Sequence, residues 1–95
     1  MTERFLLTID SRLERLSEIA DFIQEAASRC GMNDKQIYDV QMAVDEACSN
    51  IIEHAYGGKP IGAIEIECEN RGNRFSNRGN RFSNRGKDFV VLIRD

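Results

Sequence analysis

Val44-Asp45-Glu46-Ala47-Cys48-Ser49-Asn50-Ile51-Ile52-Glu53-His54-Ala55-Tyr56-Gly57 is the stretch on which the reading of this chain turns. Val44, Cys48, Ile51 and Ala55 recur at helical spacing, and Val40 and Ile37 carry the stripe upstream. A start signal stands at Asn33 or Asp34, with Gln36 in the capping position for Asn33; Gly57-Gly58 and Pro60 are the stop. The pattern predicts a helix running to about Tyr56. Glu46 and Asn50, four residues apart, project from one face, with Asp39 and Glu53 close to that line and the apolar stripe roughly opposite.

Upstream, Phe5-Leu6-Leu7-Thr8-Ile9 reads as a strand covered on at least one face. Ser11 and Glu14 match a capping box, and Leu13, Leu16, Ile19, Ala20, Ile23, Ala26 and Ala27 mark a first helix that ends at Cys30-Gly31. Downstream, Ile64, Ile66 and Cys68 alternate with Glu65, Glu67 and Glu69, the period of a strand with one buried and one wet face. Phe89 to Ile93 is apolar throughout and reads as a more central strand. The order strand, helix, helix, strand, strand predicts an α+β fold, with two helices packed on one face of a mainly antiparallel sheet.

Between the last two strands Asn70-Arg71-Gly72-Asn73-Arg74-Phe75-Ser76 is repeated from Asn77 to Ser83, followed by Asn84-Arg85-Gly86-Lys87. Without one 14-residue block the connection would be an ordinary hairpin turn, so the repeats at 70–86 read as an insertion or duplication within a single domain spanning 1–95. Their composition predicts a flexible or extended connection, because Asn, Ser and Gly at this density disfavour a helix and an odd repeat puts Phe75 and Phe82 on opposite faces of a strand.

At 95 residues, 41% apolar and 31% charged, the chain has room for one core. No apolar run approaches the roughly 20 residues of a bilayer span, and no signal-peptide core opens the chain, so a cytosolic protein without membrane contact is expected. Cys30, Cys48 and Cys68 are spaced 18 and 20 residues apart, which fits no disulfide framework or paired-cysteine metal site. The net charge of -3 is uneven. Residues 70–87 carry six cations and no acid, whereas the rest sets seven basic groups against all 16 acids. An acidic body repels phosphates and argues against general nucleic-acid binding, and any such activity would belong to the Arg/Phe repeats.

A carboxylate and a carboxamide one turn apart could serve as a general base and as a ligand for hydrated Mg²⁺, which takes oxygen donors. The same spacing is that of a solvated polar face, and spacing by itself leaves both open. The whole run from Val44 to Gly57, however, closely resembles the N-box of the GHKL ATPase superfamily (gyrase, histidine kinase and MutL-type ATP-binding domains), in the version found in bacterial anti-sigma factors that are also serine protein kinases. The strand ending Val91-Leu92-Ile93-Arg94-Asp95 is similar to the one that leads into the Asp-x-Gly-x-Gly box of that family.

The resemblance implies a truncated form of that ATPase fold. It implies Glu46 as catalytic base, Asn50 as a Mg²⁺ ligand bridging the nucleotide phosphates, and Asp95 as acceptor for the adenine amino group. It further implies Mg-ATP as cofactor, phosphorylation of a serine on an antagonist protein, a sigma factor as partner, and a homo-oligomer. His54 and Tyr56 read equally well as helix-end packing, and Asp45 is rotated away from Glu46. Because the glycine boxes and ATP lid of the family do not appear in this sequence, weak or absent ATP binding is expected of the chain, with an unpaired edge on strand 89–93 inviting self-association. The rival expectation is a non-catalytic, self-associating interaction module.

Overall fold

The computed structural model describes residues 3–57, 59, 61–70, 80–84 and 87–95, with the backbone alone for 80–84 and 87–88. In chain order the elements are β1 (Glu3–Asp10), a 3-10 turn (Leu13–Arg15), α1 (Leu16–Arg29), α2 (Asp34–Asn50), a π-helical turn (Ile51–Ala55), β2 (Ala63–Asn70), β3 (Asn80–Asn84) and β4 (Lys87–Arg94). The strands form one sheet in the order β1-β2-β4-β3, antiparallel at each junction. This is the expected α+β arrangement.

β2 is the hub of the sheet. Its Ile64, Ile66 and Cys68 pair with Ile9, Leu7 and Phe5 on one side, while Ile66 and Cys68 meet Ile93 and Val91 on the other. Those side chains join Ile19, Ile23, Val40, Val44, Cys48 and Ile52 from the helices in a single core. Strand alternation on one side and helical spacing on the other therefore converge on the same apolar layer.

The opposite face of β2 is drier than its glutamates predict. Glu67 and Glu69 are only 5% and 6% exposed. Arg4 on β1 donates to Glu67 through Nη2 at 2.6 Å and Nε at 3.0 Å, and Arg94 on β4 donates to it from the other side at 3.0 Å. The guanidinium stems of the flanking strands thus cover carboxylates that sequence alternation assigns to water, and charge-assisted hydrogen bonds replace the lost hydration. A hydrogen bond shared with Glu69, reinforced by Arg4 and Arg94, pulls the Glu67 carboxyl down to about 2.

Two further expectations are corrected. Ser11 does not cap α1: the helix is entered through the 3-10 turn, with Arg12 and Arg15 at the N-cap positions and no side-chain cap. Nor does β4 form an edge, because β3 pairs with it from Lys87 to Val91. The loop-like composition of the repeats did not announce this strand, whose pairing partner lies within the apolar run of β4. The remaining repeat residues, 71–79 and 85–86, lie outside the described residues.

Candidate functional site

α2 begins with a complete capping box. Asn33 Oδ1 accepts from the Gln36 N-H at 2.8 Å, and Gln36 Oε1 accepts from the Asn33 N-H at 2.9 Å. Val40, Val44, Cys48 and Ile52, spaced by four, are all fully buried. The carboxylate-bearing face opposite them is exposed at Asp39, Glu46, Asn50 and Glu53. The core stripe therefore fixes the rotation of the helix about its axis, and that rotation presents Glu46 and Asn50 to solvent one turn apart.

The four candidates on this face differ in availability. Asp39 is engaged by Lys35 Nζ at 3.0 Å. The side chains of Glu46 and Asn50 make no hydrogen bond or ion pair among the described residues; the one bond at this point runs from Ser49 Oγ to the backbone oxygen of Glu46, at 3.2 Å. Cys48 lies between them in sequence but faces the core, and burial, with a smaller contribution from Asp45, pushes its thiol up to about 11. It stays protonated and is no nucleophile at neutral pH.

After Asn50 the helix widens into the π-helical turn Ile51–Ala55. A wider turn takes more residues per revolution, so Ile52 falls on the core, while Ile51 is half-buried and Ala55 exposed. A uniform 3.6-residue period had put Ile51 and Ala55 there. His54 is exposed on this turn, and Tyr56, half-buried, lies over Gly62. Ser11, fully buried, secures the same connection: its Oγ donates to the Lys59 carbonyl at 2.6 Å and accepts from the Gly62 N-H at 3.1 Å, while its own N-H donates to Gly62 O at 3.0 Å. Sequence reasoning missed this clamp because a Ser-x-x-Glu pattern also spells a capping box.

The clamp brings the end of the motif helix to a defined end of the sheet. Gly62 precedes Ala63, the first residue of β2, and Glu65 two positions later pairs with Arg94 of β4. Asp95, exposed just beyond Arg94, thus lies at the sheet end onto which the motif helix closes. No bond joins it to Glu46 or Asn50 among the described residues. Nor do those residues contain a cluster of three or more His, Cys, Asp or Glu side chains able to hold a metal. Mg²⁺ does not require one, since it retains several waters and takes one or two protein oxygens together with substrate phosphates. The carboxamide oxygen of Asn50 and the Glu46 carboxylate are donors of that kind.

A family model described as a histidine kinase-like ATPase domain matches residues 9–95, and so contains the whole motif helix, the clamp and β4. The chain belongs to this family. It is also 38% identical over 53 residues to the serine-protein kinase RsbW of Bacillus pumilus (strain SAFR-032), an alignment that covers 56% of this chain and 33% of that relative. The chain therefore matches about a third of the relative's length. Glu46 and Asn50 face outward within the matched region, and among the described residues no helix is long and apolar enough to cross a membrane.

Proposed function

We propose that this chain forms the Mg-ATP-binding part of a cytoplasmic serine protein kinase that also acts as an anti-sigma factor, with a sigma factor and a phosphorylated antagonist as partners. The observation carrying the reading is the pair Glu46 and Asn50, unengaged and exposed one turn apart on a helix whose back is locked in the core. Its support from outside the chain is the similarity to RsbW and membership of the ATPase family. In this reading 1–95 is one partial ATPase-like domain, and the heptapeptide repeats at 70–86 are an insertion that supplies β3.

Glu46 is the base that holds and accepts the proton of the attacking hydroxyl. Asn50 supplies an oxygen to the metal, and Asp95 accepts from an adenine amino group. The bound Mg²⁺ would supply charge neutralisation on the phosphates, the main requirement in phosphoryl transfer.

Amide chemical shifts during a titration with Mg-ADP and Mg-ATP test the reading. Shifts should cluster around 46–50 and 93–95 and require Mg²⁺. Asn50→Ala should lose the Mg²⁺ dependence; Glu46→Gln should bind within a few-fold of the parent chain while losing phosphate transfer, because the amide keeps the shape but not the basicity. Shifts confined to other surfaces, or none, would overturn the assignment.

A further inference from the structure

The cysteines take no part in the chemistry assigned to the motif helix, and the fold groups two of them. Cys68 stands on the core side of β2, directly opposite Phe5 of β1. The Arg29 guanidinium carbon lies 5.9 Å from the centroid of the Phe5 ring, so the last turn of α1 passes over this pair of strands. Cys30 follows Arg29 and ends the helix, its N-H donating to the Ala26 and Ala27 carbonyls at 3.3 and 3.1 Å. Ala26 and Ala27, both buried, give that turn a low profile, and Cα atoms of α1 come within 8 Å of β1 and β2. Cys30 and Cys68 are therefore neighbours in one core cluster, close enough for a charge on one to raise the proton affinity of the other. Their separation in the sequence hides this, because it is the packing of α1 on the sheet that joins them.

We propose that Cys30 and Cys68 are a site of reversible oxidation, forming an intramolecular disulfide with hydrogen peroxide as the oxidant. Cys30 is the entry point, being 9% exposed where Cys68 is fully buried. Its sulfur attacks one peroxide oxygen; the O-O bond breaks, one water leaves and a sulfenic acid remains. The Cys68 sulfur then attacks the Cys30 sulfur. The S-S bond forms, the S-O bond breaks, and the hydroxyl departs as a second water with the Cys68 proton. Two thiols and one hydrogen peroxide thus give one disulfide and two waters, with two electrons passing from sulfur to oxygen.

Both groups are reduced in the structure. In a reducing compartment the bond would be transient, as intracellular disulfides usually are. The loop it closes, residues 31–67, contains the whole of α2, so oxidation would tie the sheet to the chain on either side of the motif helix. The inference concerns this pair alone and does not depend on what Glu46 and Asn50 bind.

Treating the whole chain with hydrogen peroxide, then alkylating it in denaturant and mapping its peptides, reads the outcome. The chain should lose the mass of two hydrogens, Cys48 should be the one thiol left to alkylate, and the cross-linked peptides should hold Cys30 and Cys68. Dithiothreitol should restore all three thiols. Cys68→Ser should halt the reaction at the first step, leaving a sulfenic acid on Cys30 that dimedone traps. The mapping needs no variant, so it decides the case even where Cys68→Ser fails to fold. A bond that involves Cys48, a bond between chains only, or a sulfinic acid at Cys30 in place of a bond would overturn the proposal.

Discussion

The phenol ring of Tyr56 lies so close over Gly62 that a Cβ at residue 62 would overlap its Cε1 and Cζ. The contact folds the end of the motif helix back onto the residue that precedes β2. Gly62 leaves the space that the end of the ring occupies, and a side chain at that position would push the ring aside.

Gly62→Ala should therefore displace Tyr56 and destabilise the domain by about 1 to 3 kcal/mol, the usual range for overpacking. Tyr56→Ala has its own cost from lost packing, but in that background the Gly62→Ala penalty should largely vanish. Thermal melting of the four chains in a double-mutant cycle measures the coupling, and additivity within about 0.5 kcal/mol would show that the two residues do not compete for the same space.

Ser11→Ala should cost about 1 kcal/mol, because the Lys59 carbonyl and the Gly62 N-H both lose the hydroxyl that satisfies them at a part-buried place. Chemical denaturation is the measurement. A midpoint unchanged from the parent chain would mean that water takes over both bonds and that the clamp contributes little.

Acid should weaken the fold through Glu67. Its folded value of about 2 lies below the ordinary 4.5, so the group releases its proton more readily in the folded chain. Its stabilisation is fully present above about pH 4.5 and is lost as pH falls towards 2. Urea unfolding of the parent chain and of Glu67→Gln across this window should give curves that converge at the acid end and separate as pH rises. Parallel curves would refute the assignment.

Thiol labelling should follow burial. Burial, aided by neighbouring Cys30 and Glu67, pushes the Cys68 thiol up to about 12, and Cys48 lies at about 11. Both are fully buried, whereas Cys30 at the end of α1 is 9% exposed. At pH 8 a thiol reagent should modify Cys30 first and reach Cys48 and Cys68 only on unfolding, as peptide mapping would show. Early labelling of Cys68 would contradict the sheet register that places it between Phe5 and Val91.

The motif helix was legible because its information is local. The Asn33 and Gln36 capping box, the Val40-Val44-Cys48 stripe and the opposed Glu46 and Asn50 all depend on spacing along one helix, and the helix keeps that spacing wherever it packs. The strand alternation Ile64-Ile66-Cys68 was readable for the same reason. Tertiary structure decided what depends on partners distant in the chain. The choice between a cap and a clamp for Ser11 was made by Lys59 and Gly62, 48 and 51 residues away. The burial of Glu67 came from Arg4 and Arg94 on the two flanking strands, and the placing of Ile52 on the core from the widened turn that closes onto β2. Sequence periodicity specifies which face of an element is apolar; which polar groups lie under a neighbour, and which strand edge stays open, is fixed only when the strands take their order in the sheet.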